Sequence, residues 1–512
     1  MALCLLCGVL STLAFPKWDL KPLVWISLVP LFFALREKDS KKSLFIGWLA
    51  GGFAGFGQLY WIVGTISGYS EIPWIVAVFL LALLSAATGA FWGAWAFFTE
   101  RAAKKWSFPV LLAAPGLWVL VEYGRAILTA FPWNYLGYAL VDGGPFVQAA
   151  DVGGLYGLSF LVVLGNAALY EISRVFATRE GEPKILPQIL PALLSLLLPL
   201  AAFVYGAARK PQIEGQINAA PEKFRVALVQ PNVPQVLKWD DEHENAMLLR
   251  HEQMSRELLG KGRVDLLVWP EAAFTFFPTD PEAPLWVVRR LSEETRTPIL
   301  FGAPNEEQRG EEIRYSNSVL LMEPGVESLQ RYDKIKLVPF GEYVPFSNVF
   351  FFLKKLVEVG AGDFTPGDSP VLLSTGKIRA APLVCYEAIF PGLVRKFTGE
   401  GSNLLVNITN DAWFGKTSAP YQHLSMARLR TIETRSWMVR AANTGITAAI
   451  TPTGALVDAT ELETQTYRIV EVGEDLGETA YEYFGDWIVL ACALFFAFTG
   501  LKMKFTPKRP AA

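Results

Sequence analysis

Val264-Asp265-Leu266-Leu267-Val268-Trp269-Pro270-Glu271-Ala272 decides how the second half of this chain folds. A continuous apolar run of strand length, stopped by proline, suits a strand covered on both faces. A carboxylate just past such a strand sits at a sheet edge, where sites collect. Similar short strands are expected at Phe224–Gln230, Pro298–Gly302, Ser318–Met322, Arg379–Val384, Leu404–Thr409 and Thr447–Ile450. Helices are expected over 241–260, 282–295 and 420–437. Strands alternating with helices read as α/β or a layered α/β sandwich.

The rest of the chain has a different texture. Of 512 residues, 52% are hydrophobic and only 19% charged, and the mean hydropathy is +0.29. An ordinary soluble domain carries about 25% charge, so a wholly soluble, disordered or fibrous protein is disfavoured. Long apolar runs fall near 2–15, 22–35, 44–66, 73–98, 108–122, 154–173 and 187–207, with an eighth near 486–501. Several approach the ~20 residues that a helix needs to cross a bilayer. The expected layout is a membrane domain of about seven transmembrane helices over 1–207, a globular domain over 208–485, and a C-terminal transmembrane helix with a basic tail over 486–512. The first run has no basic n-region or clear cleavage site and is read as retained.

Loop charges give an orientation. If the N-terminus is cytoplasmic, the inner loops hold Arg36, Lys38, Lys41 and Lys42, then Arg101, Lys104 and Lys105, then Arg174, Arg179 and Lys184; the tail adds Lys502, Lys504, Lys508 and Arg509. The opposite short loops hold only Lys17, Lys21 and Arg125. The globular domain is then expected on the outer face. Gly47, Gly51 and Gly55, and Ser85, Gly89 and Gly93, recur every four residues and read as close helix packing. The outward stretch Phe131-Pro-Trp-Asn-Tyr-Leu-Gly-Tyr138 is aromatic, and reads either as a headgroup-level anchor or as a lipid-contacting lip. Glu122 and Arg125, three apart, can pair on one helix face.

With a net charge of −3, a pI near 5.9 and no basic stripe, a nucleic-acid binder is disfavoured. Four cysteines make no disulfide framework, and three histidines cannot build a His-rich metal site. The chemistry concentrates at three strand ends: Trp269-Pro-Glu271, Tyr332-Asp-Lys334 through Pro339-Phe-Gly-Glu342, and Cys385-Tyr-Glu387. A thiol needs a base to become a nucleophile, and Glu271 can supply it. An attacked carbonyl becomes an oxyanion needing cationic or N–H donors; Lys334 and the Tyr386 backbone can supply them. Each residue taken singly reads as an exposed charge or a buried inert thiol, as most are.

These segments, followed by Asn410-Asp-Ala-Trp-Phe-Gly415, occur in an order that resembles the nitrilase superfamily. The architecture and the stretches at 129–138 and Leu237-Lys-Trp-Asp240 look most like its apolipoprotein N-acyltransferase branch. The resemblance implies an α-helical multi-span membrane domain plus an α/β nitrilase-like αββα sandwich. It implies Glu271 as general base, Lys334 as transition-state stabiliser and Cys385 as nucleophile. Glu342, Tyr386 and Glu387 would support them, and Trp239, Asn410, Trp413 and Phe414 would bind substrate. Lys336, two residues past Lys334, leaves open which lysine acts, and His423 is expected to make a structural hydrogen bond. No cofactor or metal is implied. The implied donor is a membrane phospholipid, phosphatidylethanolamine at sn-1. The implied acceptor is the α-amine of diacylglyceryl apolipoproteins, and the implied setting is a monomer in the bacterial inner membrane with its catalytic domain in the periplasm. A membrane-tethered amidase passing its acyl group to water is the alternative, since the triad alone does not fix the acceptor. An inert scaffold or transporter is disfavoured because the spans carry few ionisable groups. Loops near 345–366 and 413–420 are candidate lids.

Overall fold

The computed structural model describes residues 1–69, 72–105, 109–141, 144–177, 185–238, 241–310, 312–343 and 364–505. The chain divides into two compact units. One comprises Met1–Tyr60, Ile75–Lys210 and Tyr483–Ala512; the other comprises Trp61–Trp74 and Pro211–Glu482.

The first unit is helical. Its elements are α1 (Ala2–Leu13), α2 (Val29–Leu35), α3 (Ser40–Gln58), then, after α4 (Trp61–Tyr69) of the second unit, α5 (Trp74–Lys105), α6 (Val110–Thr129), α7 (Ala150–Ala177), α8 (Ile185–Ser195) and α9 (Leu197–Ala219), whose residues from Pro211 on belong to the second unit. A last apolar helix runs over Trp487–Phe505. Among the described residues, Trp74–Lys104, Val110–Thr129, Gly144–Ala177 and Ile185–Ala219 are long and apolar enough to cross a membrane. The run expected as one span over 44–66 is broken: α3 ends at Gln58 and α4 starts at Trp61. Asp39 caps α3 by accepting from Lys42 N at 2.9 Å, satisfying one of the orphan donors of its first turn.

The four-residue glycine stripes are a helix contact. A Cβ on Gly51 would lie 2.6 Å from Trp92 Cβ and 2.9 Å from Gly89 Cα, so α3 and α5 approach as closely as they do only without side chains there. The aromatic stretch after α6 is not an interfacial anchor. Trp133, Tyr135 and Tyr138 are buried in the unit. The expected Glu122–Arg125 pairing gives way to bonds with this stretch. Glu122 Oε1 accepts from Leu136 N at 3.0 Å, and Arg125 Nη2 donates to Trp133 O at 2.5 Å. The reason is local: the folded-back loop brings backbone groups that must be satisfied when buried.

The second unit is built on two six-stranded sheets. Their strands are β1 (Lys223–Gln230), β2 (Leu266–Val268), β3 (Ile299–Arg309), β4 (Glu312–Met322), β5 (Gln330–Asp333), β6 (Leu373–Thr375), β7 (Ile378–Val384), β8 (Leu404–Thr409), β9 (Met438–Ala442), β10 (Ala448–Ile450), β11 (Leu456–Val457) and β12 (Thr466–Gly473). The orders are β12-β1-β2-β3-β4-β5 and β11-β10-β9-β8-β7-β6. Strand periodicity explains the layering. Val226, Leu228, Leu266, Val268, Val319 and Leu321 join Ala381, Leu383, Val406 and Ile408 in one core between the sheets. The alternating residues Ala227, Val229, Leu267, Phe301 and Leu320 face a second core with Leu258 and Leu291, from α10 (Asp241–Leu259) and α11 (Leu285–Thr295). On the other sheet lie α12 (Pro391–Gly399) and α13 (Ala419–Thr434). The result is the expected helix–sheet–sheet–helix sandwich. β1, β2 and β3 run parallel, as do β7, β8 and β9, so the ends of β2, β7 and β8 are available to carry a site.

Candidate active site

The expected residues converge within the second unit. Glu271 follows β2, Lys334 follows β5, Cys385 follows β7 and Asn410 follows β8. The turn after β2 packs so tightly that a Cβ on Gly302 would lie 2.6 Å from Ala272 N and 2.8 Å from Glu271 Cα. Only glycine fits there. Cys385 stands at a sharp strand-to-3₁₀ junction with φ of 50°, a conformation rare for non-glycine residues and one that clusters at functional sites.

Lys334 is the hub. Its ammonium is buried, 2.9 Å from Glu342 Oε1 and 3.7 Å from Glu271 Oε1. Asn317 Nδ2 donates to both carboxylates at 2.9 Å, fixing them around the lysine. Asn410 N donates to Glu271 Oε2 at 2.8 Å. Burial works against the Lys334 charge, yet Glu342 and Glu271 hold its pKa well above the ordinary lysine range. Burial and the Glu271 carboxylate push the Cys385 thiol upward, with Lys334 pulling against them. Cys385 therefore rests as a thiol, and would need a base to act as a nucleophile. Lys336 is exposed, with its ammonium over the Phe390 ring at 5.7 Å, so the two lysines are told apart by burial.

Glu387 is a clamp between the sheets. Its Oε1 accepts from Ile335 N, Lys336 N and Tyr332 OH, and its Oε2 accepts from Val384 N. It ties the chain after Lys334 to the strand that ends at Cys385. Tyr386 is buried edge-on against Phe390. Asn410 is held on every side, its Nδ2 donating to Gln235 Oε1 at 2.7 Å and its Oδ1 accepting from Asn443 Nδ2 at 2.9 Å.

His423 makes the structural bonds expected of it. Nδ1 lies 3.0 Å from Asp411 Oδ1 and Nε2 lies 3.0 Å from the Cys385 carbonyl. Donor atoms of Cys385, Asp411 and His423 lie within 4.8 Å of one another, a set with metal-binding chemistry. The partners argue otherwise. Arg440 donates to Asp411 Oδ2 at 2.7 Å, and a guanidinium in the donor shell repels a cation. Burial alone would raise the Asp411 pKa, but Arg440 and His423 hold it well below the carboxylate range. This trio is a charge-paired brace beneath the cysteine turn.

Trp413 and Phe414 are partly buried against α4. Trp61 packs on Phe414 with ring centroids 5.0 Å apart, and Tyr69 on Trp413 at 5.1 Å. Thr65 Oγ1 donates to Trp413 O at 2.9 Å and Tyr69 OH to Ala412 O at 2.7 Å. A segment read as part of a membrane span thus holds the turn after Asn410. Trp239 and most of the apolar stretch at 345–366 lie outside the described residues.

Three contributors have no motif of their own: Asn317, Arg440 and Lys238. Lys238 is buried and donates to the Glu271 carbonyl at 2.7 Å. Burial pushes its pKa down to about 8, with Glu271 and Cys385 pulling the other way. The only signal for it was its place in the stretch Leu237–Asp240.

Known proteins resemble both halves of the chain. Family profiles described as "Apolipoprotein N-acyltransferase N-terminal domain" and "Carbon-nitrogen hydrolase" match residues 7–168 and 225–481. A Geobacter metallireducens protein named apolipoprotein N-acyltransferase is 42% identical over 488 residues, covering 95% of this chain and 92% of that one. A Pseudomonas putida protein of the same name is 33% identical over 501 residues, covering 96% and 94%. Among solved structures, Saccharomyces cerevisiae Nit3, of the nitrilase superfamily, aligns over 52% of this chain and 94% of its own at 15% identity, with a TM-score of 0.39.

Proposed function

This chain belongs to the apolipoprotein N-acyltransferase family, and from that premise we propose that it moves a fatty acyl chain from a membrane phospholipid, through Cys385, to the α-amine of a lipoprotein's N-terminal diacylglyceryl-cysteine. It is an acyltransferase of nitrilase type in a multi-pass membrane protein. The observation that carries the proposal is Lys334, buried between Glu271 and Glu342 beside a strained, high-pKa cysteine.

Glu271 takes the Cys385 Sγ proton as sulfur attacks the sn-1 ester carbonyl of phosphatidylethanolamine. The Lys334 ammonium and the Tyr386 N–H face the oxyanion. The carbonyl–glycerol oxygen bond breaks, Glu271 returns the proton to the leaving alkoxide, and lysophospholipid departs from a Cys385 thioester. The acceptor amine then attacks the thioester carbonyl and gives its proton to Glu271. The C–S bond breaks, the thiol is restored and an amide is formed. Glu342, held with Glu271 by Asn317, keeps Lys334 oriented through both halves.

A membrane setting suits these substrates. Extracting an acyl chain into water costs about 0.8 kcal/mol per CH₂, and a unit attached to apolar helices avoids most of that. The loop charges favour a catalytic unit on the outer, periplasmic face of the inner membrane, and the enzyme acts as a monomer.

Intact-mass spectra of the full chain with phosphatidylethanolamine in detergent test the proposal. A fatty-acyl gain removed by hydroxylamine and missing in Cys385→Ala is expected. A diacylglyceryl-cysteine peptide should then receive the chain as an amide. An untouched lipid with no adduct would refute the first half-reaction, and release only as free fatty acid would refute the second.

A further inference from the structure

Lys238 has no role in the steps above, yet it is built into the site. It follows the short turn Gln235–Leu237, and the segment before it is tied to the active-site loops. Gln235 Oε1 accepts from Asn410 Nδ2 at 2.7 Å. Asn443 pairs with both main-chain groups of Val233, at 2.9 Å and 2.8 Å. Asn410 N in turn holds Glu271 Oε2 at 2.8 Å. One strap therefore grips Glu271 twice: at the carboxylate through Asn410, and at the carbonyl through Lys238 Nζ at 2.7 Å. That carbonyl needs a partner, because the turn is buried and the next residue, Ala272, is held at a φ of 47°. A neutral donor would serve for the bond. An ammonium only 3% exposed carries a desolvation penalty that one hydrogen bond does not offset. Among the described residues the Glu271 carbonyl is its one hydrogen-bond acceptor.

The charge itself has a use. Lys334 faces two carboxylates, Glu271 and Glu342. Two carboxylates and one ammonium leave a net negative charge, which opposes a new anion at Cys385. Lys238 cancels that charge, and it lies within electrostatic reach of both Glu271 and Cys385. His251 on α10 faces it as well. His251 Nδ1 donates to Met247 O at 2.8 Å, and burial, reinforced by Lys238, lowers its pKa to about 4, so the ring stays neutral and supplies no charge. We propose that Lys238 is a positioning residue for the acyl transfer, its ammonium fixing Glu271 through the main chain and stabilising the Cys385 thiolate as Glu271 takes the proton. The S–H bond breaks, the proton goes to the Glu271 carboxylate, and the negative charge passes to sulfur within reach of two ammoniums rather than one. This role rests on Cys385 being the nucleophile of the acyl-transfer reading. Alkylation of the thiol needs neither lipid nor acceptor, so the two can fail separately.

Rates of Cys385 alkylation by iodoacetamide, read by peptide mass on the full-length chain in detergent from about pH 6.5 to about pH 9.5, test this role. Lys238→Met removes the charge and the donor. Lys238→Gln removes the charge but keeps an N–H for the Glu271 carbonyl, and carries the same comparison if the methionine variant does not fold. At about pH 7 each should react about tenfold more slowly than the native chain. Lys238 loses its own charge around its pKa of about 8, so the difference should close above about pH 9. A lost contact alone would slow the reaction equally at every pH. A native-to-variant ratio that falls as pH rises would sustain the proposal, whether or not phospholipid proves to be the donor. A ratio that stays constant with pH in each folded variant, or equal rates at about pH 7, would overturn it.

Discussion

Cys385 has a left-handed backbone, a thiol whose pKa is raised by burial and by Glu271, and a buried lysine close by. In the proposed reaction Glu271 is the base on which the first step depends. Glu271→Gln keeps the bonds to Asn317 and Asn410 N within reach but cannot take the proton. Thioester formation should fall by about 10²–10⁴, measured by quenched-flow mass spectrometry; a fall under about threefold would remove Glu271 from that role. Lys238 offers a pH test. Its pKa is about 8 when folded, below that of a free lysine, so the unfolded chain binds more protons between about 8 and 10.4. Stability should therefore rise with pH across that window and be flat for this group below it. Relative to Lys238→Met, the native chain should gain about 1–3 kcal/mol from pH 7.5 to pH 10, read from melting curves in detergent. Parallel curves for the two proteins would contradict the buried, charged lysine. Glu271, Lys334 and Cys385 were legible because each lies in a short motif directly after a strand. Asn317, Lys238 and Arg440 were not. Asn317 reaches Glu271 across 46 residues and Lys238 reaches it across 33, and nothing local to either distinguishes it from a surface polar residue.

Elements were legible where their periodicity was unambiguous. The helix expected over 241–260 is α10 at Asp241–Leu259, and the strand expected at Leu404–Thr409 is β8. The edge strands β5, β6, β11 and β12 were missed because they are short or only half apolar. β9 was missed for another reason: its run Met438-Val-Arg-Ala-Ala442 carries a fully buried arginine, whose partners Asp411 and Asn407 lie on other segments. The break between α3 and α4 had no signal at all, since apolar residues continue through Leu59, Tyr60 and Trp61. Yet α4 is the element that holds the turn Asp411–Phe414 through Thr65 and Tyr69. That turn follows the Asn410 N–H that fixes Glu271. The double substitution Thr65→Val, Tyr69→Phe removes both bonds and little volume. It should cost about 1–3 kcal/mol of stability, roughly two ordinary hydrogen bonds, and raise amide exchange at 411–415. Single-turnover acylation should slow by about tenfold through Glu271. Normal exchange at this turn would show that α4 is only a neighbour.

At the scale of the whole molecule, the distribution of cations decides which side of the membrane carries the chemistry. The loops placed inside hold arginines and lysines in each case, and the tail adds four more in Lys502, Lys504, Lys508 and Arg509. Of the three opposing cations, two are engaged within the helical unit. Lys21 pairs with Asp19 at 2.9 Å and donates to the Val141 carbonyl at 2.6 Å. Arg125 lies over the Tyr135 ring at 4.3 Å. Their bias against the expected orientation is thus smaller than a count suggests, because the rule concerns free positive charge near span ends. The native cysteines are buried or half-buried, so introduced ones can report sidedness. Val236→Cys, at a position 72% exposed in the catalytic unit, should react with an impermeant maleimide in right-side-out vesicles. Lys42→Cys, at a side chain 71% exposed beside the α3 cap, should react only after detergent. The reverse pattern would put the active site in the cytoplasm, away from the outer-leaflet lipids and lipoproteins that the proposed reaction joins. Labelling of both positions from one side would mean that the number of crossings between Lys42 and Val236 is even, and would require one fewer or one more of the short or bent segments to cross.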